Sequence, residues 1–516
     1  MAATPTTKAQ VQAYRFVLRR MEHALVRKDA IMLHDPMRTQ VRATAVGLVI
    51  GVLGLAGFAL TSVFAPADDI SQDTIVVSKR SLQMFVVREE SGTRVLHPVL
   101  NLASARLIAG QPAVANIVAD RALDGVARGA LLGIPGGPND LPAPGDRPEL
   151  AWTVCDTVQF DQPASSVATR QNSTVSTTVI AGALGSGARA LGDHQALFVR
   201  APDGTDQLLF EGKRAVVETT QKAVTRALNL SAASPRPVSS GLLNSVPEVG
   251  KLTVPLVPGA GESPSYDLRG LKVGAVVTVQ GVSGTDYYAL LRDGVQPVSG
   301  LVATLLASNS GGFVDVGGDA IAKVGDAAPA SALVLDDYPR RLTQVLDATD
   351  APVGCLSWTS VPPEAGSPPP TVVKSELTLL AGTRLPLPDG ARPLTLAGAD
   401  DTAAVRSGRA GPVASGFRLD SVYVAPGRSA VVQTGSGGQP VGVGTRYLVS
   451  DTGTRYGIED RSTAEVLGLG GSASPAPESI VALLPEGPAL TQQAALVAHD
   501  GMASDPAGVQ EPVPTR

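Results

Sequence analysis

Between Arg42 and Asp68 the chain carries no charged residue, and Ala43–Pro66 reads ATAVGLVIGVLGLAGFALTSVFAP. At about 1.5 Å of rise per residue, such a run is long enough to cross a hydrocarbon core of roughly 30 Å. That constraint comes before any other, because it places the two flanks of the chain in different solvents. Residues 1–42 hold eight Lys or Arg against Glu22, Asp29 and Asp35, while the far side opens with Asp68, Asp69 and Asp73. An excess of basic residues marks the cytoplasmic flank, so the short N-terminal segment is expected inside and the large remainder outside. A cleaved signal peptide is the alternative. The run is longer than a signal core and about forty residues precede it, so a retained anchor is the reading taken.

Beyond the span the composition is that of a folded, exported region. Of 516 residues, 44 % are hydrophobic and 17 % charged, which is enough to build cores and too little charge for wholesale disorder. Basic residues are scattered and aromatics reach only 4 %, so no nucleic-acid surface is expected. With 55 Gly and 40 Pro, long helices are not expected to dominate.

Cys155 and Cys355 are the only cysteines, and both follow the span. In an oxidising exterior the plain reading is one disulfide; two unrelated buried thiols are the alternative. The only tryptophans, Trp152 and Trp358, stand three residues before one cysteine and three after the other. No histidine or basic cluster lies near either cysteine, which argues against a catalytic thiol.

In the N-terminal segment, Val11, Tyr14, Leu18, Met21 and Leu25 recur at alternating spacings of three and four. This predicts an amphipathic helix with Arg15, Arg19, Arg20 and Arg27 on its other faces, closed by Pro36. Its apolar stripe calls for a partner protein or the bilayer surface; a segment that only sets topology is the alternative. Within the span, Gly47 and Gly51 form a G-x-x-x-G with Gly54 on the same side, a pattern that favours close helix contact.

After Asp68 one pattern recurs: a short apolar strand, a polar turn with Gly, a second strand, then a helical stretch. It appears at Ser81–Gly110, Ala196–Thr220, Tyr287–Ala307 and Arg446–Gly470. Related tails follow three of these copies, at Leu131–Pro142, Leu242–Leu252 and Leu483–Leu490. The fold class expected is therefore α+β: an N-terminal amphipathic helix, a single transmembrane helix, and four hairpin-plus-helix repeats around a β-rich central domain. The corresponding division begins with a docking segment at 1–42, the span at 43–66 and the first repeat at 67–145. The central domain opens at 146–191 and is interrupted by the second repeat at 192–262 and the third at 263–324. It resumes at 325–442, and the fourth repeat at 443–499 precedes a disordered tail at 500–516.

Motifs of chemistry are sparse. No G-x-x-x-x-G-K-[ST] phosphate cradle and no G-x-S-x-G nucleophile elbow occur. Gly468–Ala473 fits G-x-G-x-x-A formally, but lies in a Gly/Ser/Pro linker without a strand–helix frame. The five histidines are scattered, so neither a metal nor another cofactor is expected, and no catalytic constellation can be assembled.

Taken together, TKAQVQAYRFVLRRMEHAL, MLHDPMRTQ and a single span, then HPVLNLASARLIAG, LGIPGGPNDLP, AWTVCD and VGCLSW, resemble EccB. That family supplies the membrane-core subunit of the mycobacterial type VII (ESX) secretion systems. The resemblance implies a structural subunit of an inner-membrane complex with EccC, EccD, EccE and the protease MycP. It also implies an exterior of four periplasmic repeats around a central disulfide-bonded domain, the exterior packing against further copies of the chain, and a cytoplasmic helix that touches EccC and EccD. Alternatives are an extracytoplasmic ATPase, as named for some relatives, and a peptidoglycan-binding module that steadies the complex.

Overall fold

The computed structural model describes residues 7–28, 36–63, 70, 74–142, 151–160, 173–281, 284–341, 344–361, 372–396, 419–435, 443–471 and 473–499. The expectations for Asp68, Asp69, Asp73 and the 500–516 tail lie outside the described residues. The chain divides into two units, Met1–Ser71 and Gln72–Arg516.

The first unit holds two helices. Lys8–Arg27 begins with a capping box, in which the Thr7 hydroxyl accepts from Gln10 N and the Gln10 side chain accepts from Thr7 N. Two otherwise orphaned N–H groups are thereby satisfied. The second helix, Pro36–Val63, starts seven residues before the predicted span. Pro36 does not close the preceding segment but occupies the first helical position, where its missing N–H costs nothing. Gln40–Phe58 is the stretch long and apolar enough to cross a membrane.

The second unit is β-rich and mixed α+β. Four small sheets share one strand order. In the first, Ile75–Ser78, Met84–Glu90 and Thr93–Pro98 form an antiparallel meander. The helix Leu102–Ala109 follows, and Ala115–Val118 then lies parallel to the first strand. The same path runs through Gln195–Arg200, Asp206–Phe210, Lys213–Val216, the helix Lys222–Ala227 and Arg236–Pro237. It recurs in Val276–Gly281, Gly284–Leu290, Val295–Val298, the helix Gly300–Ser310 and Phe313–Asp315. The last instance is Ala430–Gly435, Arg446–Val449, Arg455–Ile458, the helix Arg461–Val466 and Ser474–Pro477.

The sequence pattern of strand, turn, strand and helix thus captures the middle of each sheet. The parallel fourth strand is set by non-local pairing and carries no local signal of its own. In the last sheet the opening strand is Ala430–Gly435, which sequence reading grouped with the central stretch. The related tails return to the third strand of their sheets, through Leu132 beside Val99, Leu252 beside Val217 and Glu486 beside Arg455.

A seven-stranded sheet lies at the centre. Its order is Leu394–Thr395, Ser421–Val424, Thr174–Ala181, Trp152–Gln159, Val353–Ser360, Ser375–Gly382 and Ala188–Ala190. The central strands are buried on both faces, which explains why WTVCDTV and VGCLSW read as apolar runs rather than strict alternations. One face joins the second and fourth small sheets in a common core around Trp152, Leu197, Leu242, Trp358, Val432 and Ile480. Gly241 lies against Leu483 there; a Cβ at 241 would come within 3.3 Å of its methyl groups.

The first and fourth small sheets share another core, built by Ile75, Leu107, Leu132, Leu448, Leu467 and Leu490. Here the two extremes of the unit meet: Ala498–His499 pairs antiparallel with Leu131–Leu132. Tyr456 Oη donates to Gly136 O at 2.9 Å, and Arg106 Nη1 donates to Leu467 O at 2.6 Å.

Candidate functional site

The sequence-predicted residues fall in three places, and each belongs to an element formed for a local reason. Tyr14, Leu18, Met21 and Leu25 all lie on the helix Lys8–Arg27. No residue of that helix is buried; Tyr14 is 66 % exposed and Leu25 84 %. Arg15, Arg19 and Arg20 are exposed on the same helix. A 20-residue helix with bare Tyr, Leu and Met side chains leaves several apolar groups in contact with solvent.

Gly47, Gly51 and Gly54 lie in the apolar helix, and a Cβ at any of the three would meet nothing within 4 Å. The backbone is therefore bare along that strip, the geometry that lets a second helix approach closely.

Cys155 and Cys355 stand directly opposite each other on the antiparallel strands Trp152–Gln159 and Val353–Ser360, and they form a disulfide. Both are fully buried, on the face lined by Ile180, Val353 and Leu380. Trp152 and Trp358 are likewise an opposed pair, three positions along and hence on the other face. The matching spacing of Trp and Cys in the sequence is the imprint of this register. Among the described residues, the buried Trp152 Nε1 has no hydrogen-bond partner.

Next to the disulfide the structure assembles a polar group that sequence reasoning missed. Asp156 is buried on the tryptophan side of the sheet. Its Oδ1 accepts from Thr177 Oγ1 at 2.9 Å and from Ser239 Oγ at 2.8 Å, and its Oδ2 accepts from Ser239 N at 2.6 Å. Ser239 in turn caps the helix Ser240–Ser245 by accepting from Leu242 N. Arg236 lies nearby, donating from Nη1 to Ala351 O at 2.7 Å and from Nη2 to Pro352 O.

Gly354, opposite Asp156 in the register, makes room for this arrangement. A Cβ there would come within 3.0 Å of Leu197 Cδ1 and 3.6 Å of Arg236 Cζ. Burial pushes the Asp156 carboxyl up to about 6, against the lowering effects of Ser239, Thr177 and Arg236. Burial also draws Arg236 down to about 10, with Asp156 and Asp347 opposing. The cluster joins the central sheet to the second small sheet by compensated charge and hydrogen bonds. One signal was available in the sequence: Asp156 is a lone acid inside a run that otherwise reads as buried strand.

Among the described residues, no three His, Cys, Asp or Glu side chains group as metal ligands would.

Set against known proteins, the chain matches the family model described as Type VII secretion system ESX-1, transport TM domain B, over residues 3–504. The chain belongs to the EccB family. The protein named ESX-3 secretion system ATPase EccB3 of Mycolicibacterium smegmatis (strain ATCC 700084 / mc(2)155) is 36 % identical, over 97 % of this chain and 92 % of its own length. The protein named ESX-1 secretion system ATPase EccB1 of Mycolicibacterium smegmatis (strain MKD8) is 34 % identical, over 97 % of each. Among solved structures, a chain of an intact ESX-5 inner membrane complex aligns with a TM-score of 0.69 at 28 % identity, and 99 % of both chains is covered. A chain of an EccB3 dimer from the ESX-3 core complex aligns with a TM-score of 0.63 at 31 % identity, covering 83 % of this chain and all of its own.

Proposed function

We propose that this chain is a structural subunit of the inner-membrane core complex of a type VII secretion system. It is anchored by the helix containing Gln40–Phe58. The observation that carries this reading is end-to-end likeness: 99 % of the chain aligns with a chain of an intact ESX-5 inner membrane complex.

In this reading residues 1–42 lie in the cytoplasm, where eight basic residues meet three acidic ones, and the β-rich unit lies in the periplasm. Tyr14, Leu18, Met21 and Leu25, flanked by Arg15, Arg19 and Arg20, form the docking stripe for EccC and EccD. The strip at Gly47, Gly51 and Gly54 packs against another span. EccE and MycP complete the set of partners, and further copies of the chain associate through the periplasmic unit. That EccB3 forms a dimer in the ESX-3 core complex supports the last point.

We read the periplasmic unit as four repeats around a central domain tied by Cys155–Cys355, a division supported by the common strand order of the four small sheets. The relatives carry ATPase in their names. This sequence has no G-x-x-x-x-G-K-[ST] cradle, and we assign no residue to hydrolysis.

The test is extraction of the native complex in mild detergent from cells expressing the full chain or a chain lacking residues 1–42. The full chain is expected to migrate in a high-mass assembly that the deletion abolishes. Unchanged assembly after the deletion would refute the docking role.

A further inference from the structure

Each small sheet carries a strand parallel to its first, and these four strands differ at the positions that face away from the sheet. In the first sheet Lys79 N donates to Val118 O, so the backbone groups of Asn116 and Val118 point inward. Those of Ala115 and Ile117 therefore point outward. In the second sheet Val238 N donates to Arg200 O, which turns Pro237 outward. In the third, Val316 N donates to Thr278 O, so Asp315 faces outward, and its carbonyl accepts from Arg269 Nη1 at 2.8 Å. The fourth strand Ser474–Pro477 alternates Ser474 and Ala476 with Pro475 and Pro477. A proline fits a paired strand where its nitrogen faces out.

Proline or arginine thus guards this edge in three sheets, a common defence against unwanted strand pairing. The first sheet has neither. Gly110–Val118 carries no charge, and Val114 and Ile117 are 72 % and 65 % exposed. Ala115 packs against the core shared by the first and fourth small sheets, while Ile117, next on the same face, stands bare at its rim.

We propose that this edge pairs antiparallel with the same edge of a second copy, about a two-fold axis at Asn116. With the two Asn116 residues opposed, Ala115 of each copy meets Ile117 of the other. Every outward N–H and C=O of the strand then finds a partner, and no like charges are set against each other. One patch serves both chains, as a closed two-fold contact requires. Each Ile117 also covers Ala115 of the other copy, which continues the core across the axis. The edge stops at the turn Asp120–Ala122, so it offers a foreign extended peptide only a short ladder. Two copies anchored in one membrane meet at high effective concentration, where a short ladder suffices. The inference rests on the self-association through the periplasmic unit proposed above, and names the residues that carry it.

The experiment is oxidative cross-linking of the full chain in membranes, with two differently tagged copies co-expressed. Directly opposed residues of this kind lie about 4.5 Å apart at Cα, within disulfide reach. Asn116→Cys should therefore give a covalent dimer at least about tenfold more readily than Ala115→Cys or Ile117→Cys, which face a different residue across the axis. In the Asn116→Cys background, Ile117→Pro removes the outward N–H as the second and fourth sheets do, and Ile117→Lys adds a cation to each edge. Each should lower cross-linking about tenfold. The unfolding transition should stay in place for Ile117→Lys, an exposed site, so that variant reads the contact even if the proline perturbs the sheet. Co-purification of the two tagged copies without a cross-link at 116 would overturn the edge pairing and leave the proposed self-association standing. Loss of co-purification in the unmutated chain would overturn both. Equal cross-linking at all three positions, an adduct with a different protein, or cross-linking unmoved by Ile117→Lys would each overturn the pairing.

Discussion

The carboxylate of Asp156 accepts both the backbone N–H and the hydroxyl of Ser239, at 2.6 and 2.8 Å, across 83 positions of chain. A single buried acid therefore caps the turn that leads from the second small sheet into the helix Ser240–Ser245, and ties that turn to the central sheet.

This link makes stability depend on pH in an unusual sense. The folded carboxyl titrates at about 6, against about 3.9 when unfolded, so the native state holds the proton more tightly. The Asp156 contribution is fully present below about pH 4 and is lost as pH rises through about 6, a swing of up to about 3 kcal/mol. Asp156→Asn should remove that swing. The amide adds a constant offset, so the slope is what matters. Urea unfolding of both proteins between about pH 4 and 7 should give diverging curves, and parallel curves would contradict the assignment.

Replacing Cys155 and Cys355 by Ser opens a loop closed across 200 residues. Chain-entropy arithmetic puts the loss at about 5 kcal/mol, reduced where the unfolded state is already compact. Chemical unfolding should show a clearly lower midpoint for the double variant. Its sheet register should be retained, because the two strands also pair over six opposed residues, from Val353↔Thr157 to Trp358↔Trp152.

Gly129→Ala should be costly for a side chain that small. Its Cβ would sit 2.1 Å from His97 Cε1. The buried His97 ring bonds Ala130 O through Nδ1 at 3.0 Å and Glu90 Oε1 through Nε2 at 3.1 Å. Displacing the ring forfeits both contacts, and a loss of about 2 kcal/mol or more is expected in denaturant titration.

Leu18→Glu with Met21→Glu should leave the unfolding transition of the β-rich unit where it was, since both side chains are already exposed. The extracted assembly should shrink or disappear on native gels. A normal assembly would remove the apolar stripe from the docking surface.

What the sequence disclosed follows the range of the interactions. The span, the stripe at Val11–Leu25 and the strand–turn–strand–helix pattern are local periodicities, and the first two fall on the helices Pro36–Val63 and Lys8–Arg27. The Trp–Cys spacing supported the cysteine pairing but not the register behind it, in which Trp152, Cys155, Cys355 and Trp358 sit on two directly opposed strands. The parallel strands Ala115–Val118 and Ser474–Pro477 escaped notice, since SPAP and ANIV acquire their role only from a neighbour far along the chain. Arg236 was invisible for the same reason: its meaning depends on Asp156, far back along the chain, and on the space left by Gly354.

The pairing of Ala498–His499 with Leu131–Leu132 reaches beyond architecture. Leu448, Leu467 and Leu490 fill a core that Ile75 and Leu107 begin. The first small sheet therefore waits for Leu448, Leu467 and Leu490, far along the chain, before its apolar side is covered. Such high contact order slows folding and leaves an unfinished chain prone to aggregation. Truncation just before Ile480 would thus damage the beginning of the β-rich unit as much as its end.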